Sequence, residues 1–205
     1  RLSESLNKKQ KCGFLFAFGL IALISLLEVV TLKVDGLPKK FRWLNIVSNY
    51  LGFGLTPSVC ICLVYVLDKK TKLRWEFKLA ILFEIIYLLI LALSIPSGLV
   101  FSVSQENIYS RGPYFVIYIF AYFVSILYLS LSTIFVSKQF QNRSKALIYP
   151  LMIFLVAETI IQILVPDLHV SWLCVTLLSV LYFIYCSEMW NQLDGLTGLL
   201  NQNSF

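Results

Sequence analysis

The sequence predicts an all-α integral membrane protein: a bundle of six transmembrane helices with both ends in the cytoplasm. Hydrophobic residues make up 59% of the 205 residues and charged residues only 14%, and the mean hydropathy is +0.80. Soluble domains carry about 25% charged residues. The apolar residues fall into six runs, most of them near the roughly 20 residues that a helix needs to cross the hydrocarbon core. The net charge of +6 is therefore interpreted as headgroup and orientation charge, not as affinity for nucleic acid.

Short polar segments separate the six apolar runs. The runs cover residues 12–32, 43–67, 77–95, 114–137, 146–165 and 170–185. A basic cytoplasmic segment, residues 1–11, precedes the first run, and residues 97–113 are predicted to form the longest loop. The second run has no charge but contains Gly52, Gly54 and Pro57, and the proline interrupts helical hydrogen bonding.

The basic residues predict the orientation of the bundle. An even number of spans places both ends on one side of the membrane. If that side is the cytoplasm, 12 of the 17 lysines and arginines lie inside, as the positive-inside rule expects, although the first outer loop is basic as well. Tryptophan rings favour the headgroup layer, and all of them fall near the ends of runs. They are Trp43, Trp75, Trp172 and Trp190.

Polar side chains in or beside the runs are the candidates for ligand sensing. Glu28 lies near the outer end of the first run, and Glu158 and Gln162 lie one helical turn apart in the fifth. Arg111 precedes the fourth run, and His169 is the single histidine. These residues are predicted to line a pocket, open to the outside, for a small polar ligand. The competing interpretation is hydrogen bonding between helices that stabilises the bundle.

Two other sets of residues are interpreted as structural. Glu84, in the third run, is interpreted as a structural side chain or as one that reaches along the helix toward the headgroups. The cysteines lie in or beside apolar runs and are interpreted as small buried residues, because zinc sites need paired cysteines in polar surroundings. They are Cys12, Cys60, Cys62, Cys174 and Cys186.

The last twelve residues differ from the rest of the chain. Residues 194–205 read Asp-Gly-Leu-Thr-Gly-Leu-Leu-Asn-Gln-Asn-Ser-Phe. This segment resembles the start of GGDEF domains, the diguanylate cyclases that make cyclic di-GMP from two GTP molecules. The matching residues are Asp194, Leu196, Thr197, Gly198, Leu199, Asn201 and Phe205. Gln202 departs from the pattern, since the family usually has arginine at that position.

Part of the membrane region resembles the same group. Residues 106–113 read Glu-Asn-Ile-Tyr-Ser-Arg-Gly-Pro, which is similar to an E-N-x-Y-x-R-G-P segment of multispanning bacterial diguanylate cyclases. Residues 37–43 and 162–166 fit as well. Members of this group carry one more span upstream. The resemblance therefore implies that the chain is a fragment, with a span before Arg1 and a catalytic domain after Phe205.

The resemblance implies a sensor with four regions. These are a cytoplasmic segment at 1–11, a six-span sensor domain at 12–185, a helical linker at 186–193 and the start of a truncated GGDEF domain at 194–205. In the bacterial plasma membrane, the implied sensor forms a homodimer and binds an unknown small extracellular or membrane ligand. Magnesium is implied for the missing cyclase domain. No catalytic residue or cofactor is expected within this chain.

Two other functions stay open at this point. A passive anchor would only hold and dimerise an output domain at the membrane. A small transporter or channel would use Glu28, Glu84 and Glu158 as ion or proton sites, and the interrupted second run favours it, whereas the halves show no inverted repeat. Residues 187–193 favour the sensor, because they contain no proline or glycine. A helix can therefore run from the last span into the signature and transmit a motion.

Overall fold

A computed structural model describes residues 6–67, 75–137, 153, 156, 157, 160 and 171–191. These residues are mostly helical, and four helices are long and apolar enough to cross a membrane. The elements are α1 (Lys8–Val34), a 3-10 turn (Lys39–Phe41), α2 (Arg42–Leu67), α3 (Trp75–Ser97), β1 (Phe101–Val103), β2 (Tyr109–Arg111), α4 (Val116–Ser137) and α5 (Ser171–Asn191). The chain is thus a helical membrane protein by length and composition of its helices.

The first four apolar runs coincide with α1 to α4, and the sixth with α5. The fifth run lies largely outside the described residues, so the count of six spans stays a prediction. The first helix begins earlier than its apolar run because Asn7 and Gln10 form a capping box. The Gln10 backbone N–H donates to Asn7 Oδ1 at 2.8 Å, and the Asn7 backbone N–H donates to Gln10 Oε1 at 3.0 Å.

The loop predicted at residues 97–113 contains a β-hairpin, so the expectation of an all-α chain is wrong in this segment. Strands β1 and β2 pair antiparallel, with Ser102 opposite Ser110. The two hydroxyl groups are 2.7 Å apart and hydrogen-bonded. Alternation of Phe101 and Val103 with Ser102 places both apolar side chains in the core, which is the burial pattern of a strand with one covered face.

Contacts divide the chain into two compact units. The hairpin unit comprises the described residues of Gly19–Ile61 and Lys70–Tyr128, and the terminal unit comprises those of Arg1–Phe18, Cys62–Lys69 and Leu129–Phe205. In the hairpin unit, the Phe53 ring of α2 packs against β1 and α4. Its centroid lies 5.7 Å from that of Phe101 and 4.8 Å from that of Tyr118. This aromatic core joins the hairpin to the helices.

Helix α3 packs on the hairpin unit through one narrow stripe. Its buried residues are Glu84, Tyr87, Leu91 and Ser94, which recur at intervals of three and four residues. The remaining large apolar side chains of α3 are mostly exposed, including Leu82 and Leu93. An apolar surface of this extent is unstable in water but matches the hydrocarbon of a bilayer.

Gly54 and Pro57 of α2 lie where this helix approaches α3 closely. Pro57 has no N–H to donate to the Phe53 carbonyl, and the Tyr87 hydroxyl of α3 donates to that carbonyl at 3.1 Å instead. A Cβ on Gly54 would lie 2.7 Å from Leu88 Cδ2, so glycine permits this approach. The interruption that the sequence predicts in α2 is therefore compensated by α3.

In the terminal unit, α5 is held by aromatic and polar contacts. The Phe14 ring of α1 meets the Phe183 ring edge-on, with centroids 4.9 Å apart. The Thr133 hydroxyl of α4 is hydrogen-bonded to the Tyr182 hydroxyl at 2.9 Å, and both residues are buried. These contacts connect α5 to the start of α1 and the end of α4.

The cysteines and tryptophans lie partly where the sequence predicts them. Cys60 and Cys186 are buried, as expected, but the expectation is wrong for Cys12, which lies on an exposed face of α1. Trp43 and Trp75 lie at the starts of α2 and α3 and are largely exposed. Such exposed indoles at helix ends suit the headgroup layer.

Candidate functional site: a polar cluster beside the hairpin

Asn107 is the buried centre of a polar cluster in the hairpin unit. It lies in the turn between β1 and β2 with φ of 64°, a left-handed conformation that asparagine tolerates better than most residues. Its Nδ2 donates to the carbonyl oxygens of Val34 at 2.7 Å and Leu37 at 3.0 Å. Its own carbonyl accepts from the Gly36 N–H at 2.8 Å. Asn107 thus supplies a donor to the carbonyl of Val34, the last residue of α1, and to that of Leu37 in the turn that follows.

Asn45, near the start of α2, extends the cluster. Its Nδ2 donates to Asp35 Oδ1 and to Asn107 Oδ1, both at 3.0 Å. Its Oδ1 accepts from Asn49 Nδ2 at 2.8 Å. Asp35 Oδ1 also accepts the Tyr109 backbone N–H of β2 at 2.7 Å. These four side chains, Asp35, Asn45, Asn49 and Asn107, form what we call the amide cluster, and it links α1, α2 and the hairpin.

Arg42 fastens the start of α2 to the end of β1. Its Nη2 donates to the Val103 carbonyl at 2.8 Å, and its Nε donates to the Ser104 carbonyl at 2.8 Å. The planar guanidinium suits two carbonyl acceptors at once. A basic residue that the sequence assigns to the outer loop therefore has a structural partner in the hairpin.

Tyr109 and Arg111 set the electrostatics of β2. Burial raises the pKa of Tyr109 to about 12, and Asp35 adds to the increase, whereas Arg111 opposes it. The phenol therefore stays neutral at physiological pH. The Arg111 guanidinium lies over the Phe115 ring, 4.6 Å from its centroid, and the residue is exposed. Its charge is thus held at the surface by a cation–π contact.

Two of the predicted sensing residues fall within the described ranges. Glu28 is half-buried on α1, and Arg111 is exposed on β2. Glu158, Gln162 and His169 lie outside the described residues, as do the signature residues 194–205. The pocket predicted from these side chains therefore stays a prediction.

Sequence reasoning missed the amide cluster. One signal was available: Asn45 and Asn49 lie four residues apart in an uncharged run, which places both on one helix face. Within the described ranges, no three His, Cys, Asp or Glu side chains lie together as metal ligands would. The cluster contains amides and one carboxylate but no nucleophile beside a base. Its side chains can therefore form hydrogen bonds and hold the hairpin in position against α1 and α2.

No protein family, curated protein or solved structure matches this chain.

Replacing Arg42 with lysine is expected to lower the free energy of unfolding by about 1–2 kcal/mol, because one ammonium cannot hold both carbonyls in the guanidinium geometry. Thermal unfolding in detergent, followed by circular dichroism, measures the effect. The loss is expected to persist at high salt, since both acceptors are uncharged. Lys39→Gln, in the exposed 3-10 turn, is the control and is expected to change little. Equal effects of the two variants would contradict this role of Arg42.

Proposed function

We propose that this protein is a membrane-embedded signal-input module that controls a C-terminal diguanylate cyclase domain. The observation that carries the proposal is the continuity of α5. This helix runs from Ser171 to Asn191 and ends three residues before Asp194, where the resemblance to GGDEF domains begins. Residues 186–191 of the predicted linker belong to this helix. A continuous helix between a span and an output domain transmits rotation or translation, whereas a flexible linker does not.

The packing of α5 supports a mechanical role. Val175, Tyr182 and Met189 are buried and seven residues apart, so one face of the helix is covered from the membrane segment into the linker. Phe14 and Thr133 hold this helix near its middle. A change in the packing of α1 or α4 around these contacts would therefore change the position of α5.

The input is proposed to be a small polar ligand at the membrane or outside it. In the hairpin unit, Arg111 offers an exposed charge, and Glu28 offers a half-buried carboxylate. The amide cluster connects the hairpin to α1 and α2, so a ligand that moves the hairpin also moves these helices. The proposed protein acts as a homodimer in the bacterial plasma membrane, and its cyclase domain uses magnesium.

Alanine insertions after Asn191 test the proposal in the protein that includes the cyclase domain. Each inserted residue rotates the downstream part by about 100°, and four residues bring it back to within about 40° of the original direction. Cyclic di-GMP production is expected to change several-fold after one or two insertions and to recover after four. Insertion of four residues as Gly-Ser-Gly-Ser is the control and is expected to abolish regulation.

The alternative is a passive anchor. An anchor predicts the same cyclic di-GMP production for every insertion, and it predicts full activity when one unrelated apolar helix replaces residues 8–185. Either result would contradict the proposal of a signal-input module. If the gene encodes no cyclase domain after Phe205, the proposal of this output fails as well.

A further inference from the structure

Glu84 is a buried carboxyl group in the middle of a membrane-spanning helix. It is the tenth residue of the 23-residue helix α3, which places it about 13–14 Å along an axis that crosses a hydrocarbon core of roughly 30 Å. Only 7% of its surface is exposed. It therefore does not extend toward the headgroups, and the interpretation of this residue as snorkelling is wrong.

Among the residues that the structure describes, one donor is hydrogen-bonded to the carboxyl group of Glu84. Ser58 Oγ of α2 donates to Oε1 at 2.6 Å, whereas Oε2 is buried and has no partner among the described residues. The titratable groups nearby are phenols: Tyr87 lies one turn further along α3, and Tyr50 of α2 and Tyr118 of α4 face Tyr87. Within the described ranges, no lysine, arginine or histidine compensates a charge on Glu84.

The Glu84 carboxyl group lies beside Pro57, where α3 supplies the hydrogen-bond donor that the proline removes from α2. We call this contact, formed by Phe53 and Ser58 of α2 with Glu84 and Tyr87 of α3, the α2–α3 seam. Ser58 directly follows Pro57, and Tyr87 donates to the Phe53 carbonyl that Pro57 leaves without a helical donor. Glu84 and Tyr87 are three residues apart and face α2 together. The contact between α2 and α3 therefore depends on two polar bonds in apolar surroundings.

An ionised carboxylate in this seam is unfavourable, because the surrounding hydrocarbon does not solvate it and one hydroxyl does not replace a hydration shell. Ca²⁺ and Mg²⁺ need six or more oxygen ligands, and within the described part of the chain the hydrogen bonds of this carboxyl group add only Ser58 Oγ to its own oxygens. A proton neutralises the group without further ligands. We propose that Glu84 is a proton-binding site in the α2–α3 seam and that its proton controls how tightly α3 packs on α2.

Loss of the proton leaves a negative charge in the seam. Ser58 can still donate to Oε1, but Oε2 then requires water or a cation. Water that enters there separates α2 from α3 beside Pro57, where α2 lacks one of its own backbone hydrogen bonds. This proposal goes beyond the signal-input role and is independent of any output domain.

Infrared spectroscopy of the full chain in phosphatidylcholine–phosphatidylglycerol vesicles tests the first half of the proposal. At neutral pH, the wild-type spectrum is expected to contain a protonated carboxyl C=O band that Glu84→Gln removes and that Glu106→Gln, in the exposed hairpin turn, retains. The band is expected to disappear reversibly as the pH rises. A wild-type minus Glu84→Gln difference that shows only carboxylate bands at neutral pH overturns the proposal.

Chemical labelling does not depend on the folding of a variant. A protonated carboxyl group in apolar surroundings adds its O–H across a C=N bond of dicyclohexylcarbodiimide and forms an O-acylisourea. Migration of the acyl group from oxygen to nitrogen then gives a stable N-acylurea, which mass spectrometry locates. Wild-type protein is expected to be labelled at Glu84 at neutral pH and to lose most of that label at alkaline pH. Absence of label at Glu84 at every pH in the folded protein, with labelling after denaturation in sodium dodecyl sulfate, overturns the proposal.

A distance measurement between α2 and α3 tests whether the Glu84 proton controls how tightly the two helices pack. Spin labels at Val47 of α2 and Leu89 of α3, both exposed, are introduced into a cysteine-free background. Their separation is expected to increase as the C=O band disappears and to stay constant in Glu84→Gln. A constant separation in the wild-type background, despite loss of the band, overturns control of packing and leaves only the proton site.

Discussion

Replacing Asn107 with alanine is expected to lower the free energy of unfolding by about 4 kcal/mol. The Leu37 carbonyl loses its Asn107 donor, and the Val34 carbonyl keeps only the Leu37 N–H at 3.0 Å. Asn45 loses one of its acceptors. Each buried group left unpaired costs about 1–3 kcal/mol. Alanine must also adopt the φ of 64° that asparagine accepts here, at a further cost of about 1–2 kcal/mol.

Two controls separate the causes of this loss. Asn107→Gly removes the hydrogen bonds but relieves the backbone, so it is expected to recover about 1 kcal/mol relative to alanine. Gln105→Ala, an exposed residue of the same turn, is expected to change stability by less than about 0.5 kcal/mol. Denaturant unfolding in detergent micelles measures all three variants. If Asn107→Ala behaves like Gln105→Ala, the amide cluster does not hold the hairpin to α1.

Replacing Gly112 with alanine is expected to lower the free energy of unfolding by about 3 kcal/mol. A Cβ at this position would overlap the backbone carbonyls of Gly98 and Leu99. These atoms cannot easily move, because the Leu99 carbonyl accepts the Tyr114 N–H at 2.8 Å and the Gly112 N–H donates to the Val100 carbonyl at 2.8 Å. The added methyl group therefore displaces the exit of the hairpin.

Gly52→Ala is the matched control for this glycine. It lies within α2, and a Cβ there would meet no atom within 4 Å. Alanine is expected to stabilise the helix by about 0.5–1 kcal/mol, because it favours helical backbone more than glycine does. Thermal unfolding of the two variants should therefore shift in opposite directions. Shifts of the same sign and size would mean that the close backbone approach at Gly112 does not limit stability.

Hydrophobic runs predicted most of the helical fold because each span must be apolar along its whole length to lie in hydrocarbon. That condition depends on nearby residues alone, so the limits of α1 to α4 fall within a few residues of the runs. Helix α5 continues from the sixth apolar run into the predicted linker as far as Asn191, and the role of residues 186–193 as a linker stays a prediction. Its extension to residue 193 lies outside the described residues.

The amide cluster was not predictable in the same way. Asn107 contacts Val34 and Leu37, which lie 73 and 70 residues away in the chain. The strands of the hairpin are only three residues long, too short for alternation to be distinguished from a loop. The sequence alone does not distinguish a polar loop residue from one in a buried cluster, because the hydrogen-bond partners of the buried residue are distant in the chain.

For Glu84 as well, the neighbouring residues predict its location in a span, whereas its contacts depend on the tertiary structure. The sequence alone determined that this acid lies within a membrane-spanning segment, since the surrounding run is apolar. Its contact with Ser58, beside Pro57 of α2, became visible in the folded structure, as did the lack of a partner for its second oxygen within the described ranges. Membrane insertion depends on the average polarity of a segment, whereas the partner of one carboxyl oxygen depends on how two helices pack.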